Sequence, residues 1–115
     1  MDPVFEKSLM AFVAHAQSLS DAWMESYYPN AARPVIGFDK PGPRFVRMTK
    51  TQGDPANPVS RSVYAFVDMT DGSILKTSSW AAPTRSKGGA LAVRGNVYDE
   101  ATWSGFTWNG PKGRN

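Results

Sequence analysis

The stretch Arg61-Ser62-Val63-Tyr64-Ala65-Phe66-Val67-Asp68-Met69, followed by Thr70-Asp71-Gly72-Ser73 and Ile74-Leu75-Lys76-Thr77, decides the fold. Nine residues rich in Val, Tyr and Phe favour a pleated strand, and Asp-Gly supplies the tight turn that folds the chain back on itself. Upstream, Arg44-Phe45-Val46-Arg47-Met48-Thr49-Lys50 alternates as a strand does, and Thr51 to Pro58 is rich in turn residues. These three strands are expected to form an antiparallel meander. Val35-Ile36-Gly37-Phe38 is a candidate edge strand and Leu91-Ala92-Val93 a candidate fourth.

A helix precedes the sheet. Asp2 is a good N-cap and Pro3 suits the first helical position. Phe5, Leu9, Phe12, Ala16, Leu19 and Trp23 then step by four and three along one face, and Pro29 ends the helix near Tyr27-Tyr28. The fold class is therefore α+β: one long N-terminal helix, residues 1–28, on a small antiparallel sheet of three to four strands, and not an OB barrel. Met10, Val13 and Met24 widen the apolar stripe beyond what a small sheet needs. A helix so broadly apolar, with Phe5, Met10, Phe12, Val13 and Trp23, predicts a homodimer, or higher oligomer, through helix contacts.

At 115 residues there is room for one domain: the helix, a sheet region over 44–98, and a tail over 99–115. No cysteine is present, which excludes disulfides, thiolate metal sites and a thiol nucleophile. Without a basic signal region or a long apolar run, the protein is expected to be soluble and intracellular. Its net charge of +3 is unevenly spread: two bases oppose five acids from Met1 to Asp39, whereas nine bases oppose three acids from Lys40 to Arg94. A positive middle of this kind suits a polyanion, and equally a solvated face.

Strict alternation along the central strand places Val63, Ala65, Val67 and Met69 under the helix. Ser62, Tyr64, Phe66 and Asp68 would then lie on an open face beside Phe45, Arg47 and Thr49. Rings interleaved with guanidinium groups form a surface on which the bases of a single strand stack while phosphates meet cations. The expected phosphate contacts are Arg44, Arg47, Lys50, Arg61, Lys76, Arg85, Lys87 and Arg94, with Tyr64, Phe66 and Trp80 as stacking residues. The competing reading puts the rings against a second core layer. Ala81 to Ala90 is expected to be a flexible basic loop whose glycines admit an anion, although it lacks Walker spacing. Trp103, Phe106 and Trp108 on the Gly-rich tail either complete the core or reach outward.

Catalysis is not expected. His15 stands alone on the helix, Asp68, Asp71 and Lys76 have the wrong spacing for a metal-dependent nuclease, and Ser73 to Lys76 matches S-x-x-K without its companion motifs. No cofactor is implied.

Ser62 to Asp68, then Gly72-Ser73-Ile74-Leu75-Lys76-Thr77-Ser78-Ser79-Trp80-Ala81-Ala82-Pro83, and Val93-Arg94-Gly95-Asn96 resemble a segment shared by a group of small bacteriophage proteins. There the order is Gly-Asp-x-x-Lys-x-x-Ser-Trp-x-Ala-Pro, closed by Ala-Arg-Gly-Asn; Ser73 replaces the Asp and Val93 the Ala. The resemblance covers roughly residues 44 to 99 and implies a phage origin more than an activity. A narrower similarity, without a residue-by-residue match, is to the single-stranded-DNA-binding RNA polymerase cofactors of N4-like phages, which are small dimers. It implies sequence-tolerant single-stranded DNA binding in support of phage transcription or replication, with a phage RNA polymerase as a further partner, in the cytoplasm of the infected host. The rival expectation is a protein-interaction module that inhibits or redirects a host or phage enzyme.

Overall fold

The structure, a computed structural model, describes residues 1–39, 41–54 and 56–112. Helix α1 (Pro3–Tyr27) starts where Asp2 accepts a hydrogen bond from the Phe5 amide at 3.3 Å. Strands β1 (Val35–Phe38), β2 (Phe45–Asp54), β3 (Asn57–Asp68), β4 (Ser73–Leu75) and β5 (Val93–Asn96) form one antiparallel meander in sequence order. A 3-10 turn over Glu100–Gly105 leads to the short hairpin of β6 (Phe106–Thr107) and β7 (Gly110–Pro111). The architecture is α+β, and among the described residues the five-stranded sheet stays open, with no closed barrel. Five strands pair rather than three or four, because both short candidate strands join the edges. The last one runs over 93–96 instead of 91–93.

Helix α1 buries Phe5, Leu9, Phe12 and Ala16 against Ile36, Val46, Met48, Ala65, Val67 and Ile74. Gln17 pins the edge strand to the helix: its amide donates to the Pro34 carbonyl at 2.9 Å and accepts from the Ile36 amide at 2.7 Å. Both polar groups at that edge are thereby satisfied.

Alternation holds from Phe45↔Asp68 to Met48↔Ala65, then breaks: Thr49 pairs with Val63, so Tyr64 is the extra residue of a β-bulge. A bulge shifts the pleat of its own strand by one, so the side chains of β3 from Tyr64 back towards Arg61 lie on the face opposite to the one strict alternation gives them. Tyr64 consequently turns into the core, 2% exposed and donating its hydroxyl to the Thr107 carbonyl at 2.8 Å. Burial pushes its phenol up from the ordinary value. Val63, expected beneath the helix, instead lines the outer side with Arg61 and Trp80. Lys50 needs no such shift: on β2 it alternates in step with Val46 and Met48 and so lies on the core side, 4% exposed, with its Nζ 3.3 Å from both the Trp108 carbonyl and Asn109 Oδ1 and 4.1 Å from the Trp108 ring centroid. Burial lowers its pKa.

The tail completes the core. Trp103 and Phe106 are buried, and Phe12 meets both rings edge to face at 5.3 and 4.9 Å. Trp108 stacks on Trp23 at 3.8 Å. These contacts account for the breadth of the helical stripe: Phe5 and Phe12 face the core, Val13 packs against it, and Trp23 is taken by Trp108. Of the residues that suggested a helix-mediated dimer, only Met10 is left exposed. The part of the basic tail at 113–115 lies outside the described residues.

The Arg94-Gly95-Asn96 segment also has an internal task. A Cβ on Gly95 would stand 2.8 Å from the Phe106 ring. The Asn96 carbonyl accepts from the Trp103 indole at 2.9 Å, and the Asn96 side chain donates to the Asp71 carbonyl at 2.9 Å. Gly72, at φ +79°, closes the β3–β4 turn as its Asp-Gly sequence predicted.

Candidate nucleic-acid interface

The face of the sheet turned away from α1 carries Phe45 and Arg47 from β2, and Arg61, Val63 and Phe66 from β3. Residues 77–83 fold back across it. Thr77 shapes this crossing: its hydroxyl donates to the Ala82 carbonyl at 2.6 Å and accepts from the Ser79 amide at 3.0 Å. Trp80 is thereby set over the arginines, 3.9 Å from Arg47 Cζ and 5.3 Å from Arg61 Cζ measured to the ring centroid. Trp80 as a residue is 42% exposed, so it offers surface outward while cations back its ring.

Asp39, just after β1, holds the cluster together. It accepts from Arg47 Nε and NH2 at 2.8 and 2.6 Å and from Arg61 NH2 at 2.7 Å. Burial alone would raise its pKa, but hydrogen bonds and charge from the two guanidinium groups outweigh this and hold the carboxyl below its usual range. Asp39 went unrecognised in the sequence, where it looked like one more acid of the acidic N-terminal third. No local pattern signals that one carboxylate will bridge two strands.

A second ion pair lies beside the first. Arg44 donates through Nε and NH2 to Asp68 Oδ2 at 3.1 and 2.9 Å, with its Cζ 5.0 Å from the Phe45 ring centroid. Asp68 is 2% exposed at its side chain and also accepts from the Thr70 amide and hydroxyl. Its burial is likewise outweighed by these hydrogen bonds, and its pKa is lowered. Asp68 is thus committed to a structural knot.

The expected site residues therefore divide. Arg44, Arg47, Arg61, Phe66 and Trp80 come together on the outer face. Phe66 lies there as a floor, 4% exposed, and not as an open platform. Tyr64 and Lys50 sit on the opposite side, in the core and against Trp108; neither is placed to touch a strand on this face. Lys76, Arg85, Lys87 and Arg94 belong to the neighbouring β4–β5 region. Its loop is closed by backbone pairing: the Thr84 amide donates to the Lys76 carbonyl and the Ala92 amide to the Thr84 carbonyl, and Arg85 pairs with Leu91. Gly89, at φ +88°, closes the turn at the tip; Lys87 is exposed there, and Arg85 NH1 donates to the Gly89 carbonyl at 2.8 Å. Arg94, half-buried on edge strand β5, has its NH1 3.2 Å from the Val93 carbonyl.

Chemically, this face can stack one planar group on Trp80 and place anions against guanidinium groups that Asp39 and Asp68 partly neutralise. Among the described residues no cluster of three His, Cys, Asp or Glu side chains is arranged to hold a metal ion. Among the described residues no helix is long and apolar enough to cross a membrane.

A family model described as a family of unknown function (DUF7717) matches residues 17–108. No curated protein and no solved structure matches.

Proposed function

We propose that this chain, which belongs to the DUF7717 family of unknown function, binds single-stranded DNA without strong sequence preference through the outer face of its sheet. The observation that carries the reading is Trp80, 42% exposed and backed by the guanidinium groups of Arg47 and Arg61 at 3.9 and 5.3 Å. A base stacks on any flat π face whatever its hydrogen-bonding edge, which gives about 1–3 kcal/mol per base without sequence choice. Arg44, Arg47 and Arg61 meet the phosphates nearby, and Arg85, Lys87, Lys76 and Arg94 extend the positive field along the β4–β5 region. A duplex hides its base faces and cannot use Trp80 in this way. The setting proposed is the cytoplasm of a phage-infected bacterium, in support of phage transcription or replication. That setting and a phage RNA polymerase partner rest on the resemblance to N4-like phage cofactors. A homodimer through the helix would draw on its exposed large apolar residues, Val4, Met10 and Tyr27, 67%, 55% and 64% exposed.

A second reading draws on a different surface. Val4, Ala11, Tyr98 and Trp103 line an apolar groove of about 730 Å³ between α1 and the 3-10 turn, which suits a protein-interaction module that inhibits or redirects an enzyme. Mobility shifts with single- and double-stranded oligonucleotides at two salt concentrations separate the two. Single-strand binding weakens with a log–log slope near −0.7 per phosphate, and Trp80→Ala and Arg85→Ala/Lys87→Ala reduce it. Equal affinity for duplex, or no single-strand complex at low salt, overturns the first reading.

A further inference from the structure

Beside Trp80 the outer face opens into a cavity of about 420 Å³ between the turn at 41–43 and the crossing segment at 81–83. Phe66 forms its floor, and Phe45 meets that ring edge to face at 6.4 Å. Pro43, Ala82 and Pro83 form the walls, while Arg44 and Arg47 stand at the rim. Proline has no N–H, and alanine and phenylalanine side chains have no polar atoms, so these walls have little with which to read a base edge. The rim is cationic: Arg44 keeps its Asp68 contact and is still 49% exposed, open to a second anion. An apolar, aromatic-floored cavity with guanidinium groups at its mouth is complementary to a flat neutral heteroaromatic ring linked to an anionic group.

We propose that this cavity takes one unstacked base of single-stranded DNA, seated over Phe66 and Phe45 between Pro43 and Pro83, with the adjoining phosphate at Arg44. The inference rests on the single-strand reading above and deepens it. Trp80 supplies an open platform, and the cavity a second, enclosed position that a neighbouring base enters by its faces. Apart from the arginines at the rim, no lining side chain carries a hydrogen-bonding group, so the cavity admits a base by its faces rather than by its edge.

Fluorescence anisotropy with labelled oligothymidylate, and with an abasic oligonucleotide of the same length, tests it on the full chain. Ala82→Trp fills the cavity from an exposed wall, and Phe45→Leu removes one aromatic face while keeping the wall apolar. Thermal melting checks that each variant is folded. Both variants should bind oligothymidylate about ten-fold more weakly with the salt slope unchanged, and should lose most of the wild-type preference over the abasic strand. If Ala82→Trp does not fold, Phe45→Leu carries the test. Wild-type affinity in a folded variant, with wild type itself binding single strands, overturns the cavity and leaves the surface reading standing. Failure of wild type to bind oligothymidylate at all overturns both.

Discussion

Arg47 holds Trp80 from two sides of its chemistry: the guanidinium Cζ lies 3.9 Å from the indole centroid, and NH1 donates to the Trp80 carbonyl at 3.1 Å. One arginine thus fixes both the ring and the backbone of a residue that reaches it across a sequence gap of 33 positions. Asp39 in turn fixes the arginine. The orientation of Trp80 is preorganised before any ligand arrives, which lowers the ordering cost of binding.

The same carboxylate occupies the place a phosphate would take between Arg47 and Arg61. Asp39→Asn should therefore tighten oligothymidylate binding at low salt by about 1 kcal/mol, or about five-fold. It should also steepen the salt slope by about 0.7 for each phosphate gained. Anisotropy titrations at several salt concentrations measure both quantities.

Asp39 and Asp68 set the acid limb of stability. Their folded pKa values lie below the ordinary carboxylate value of about 3.9. A depressed folded pKa contributes stability that is fully present above the unfolded value and is lost as pH falls through the folded one. The urea midpoint should accordingly fall below about pH 4, and the paired Asp39→Asn/Asp68→Asn variant should lose much of that decline. Urea melts across pH 2 to about 7 follow it.

Much of this architecture could be read from local pattern, and the parts that could not have a shared cause. The cap at Asp2, the stripe from Phe5 to Ala16 and the Asp71-Gly72 turn each depend on neighbouring residues alone, and each formed as expected. Tyr64 failed because one extra residue opposite the Met48–Thr49 step reverses the pleat, and no composition rule marks that step. Lys50 departed from expectation for a simpler reason: with Val46 and Met48 it takes every second position of β2, so plain alternation already assigns it to the core side. Trp103 and Phe106 were legible as a choice between core and contact, and they fill the core beside Phe12. The arginines of the site were identified, but their ion pairs were not, since Asp39 and Asp68 meet them only once the strands pair.

The bulge makes Tyr64 a core residue. Tyr64→Phe removes the hydroxyl that serves the Thr107 carbonyl and should cost about 1–2 kcal/mol of stability. Oligothymidylate affinity of the folded variant should be unchanged. Urea denaturation paired with anisotropy measures the two effects separately.

Lys50 keeps a charge in a nearly buried position, where desolvation works against it. Lys50→Met retains the apolar stem and drops the charge, and should change stability by less than about 1 kcal/mol. Lys50→Ala also opens space beneath Trp108 and should cost about 2 kcal/mol or more. Urea midpoints of the two variants compare directly.

The most direct measurement follows the four tryptophan indole N–H resonances by NMR while oligothymidylate is added. The Trp80 signal should shift first and furthest, and the Trp103 signal, whose N–H is held by the Asn96 carbonyl at 2.9 Å, should stay nearly still. A saturable shift confined to the other indoles, or no saturable shift in any of them, would contradict a single strand stacking on the outer face of the sheet.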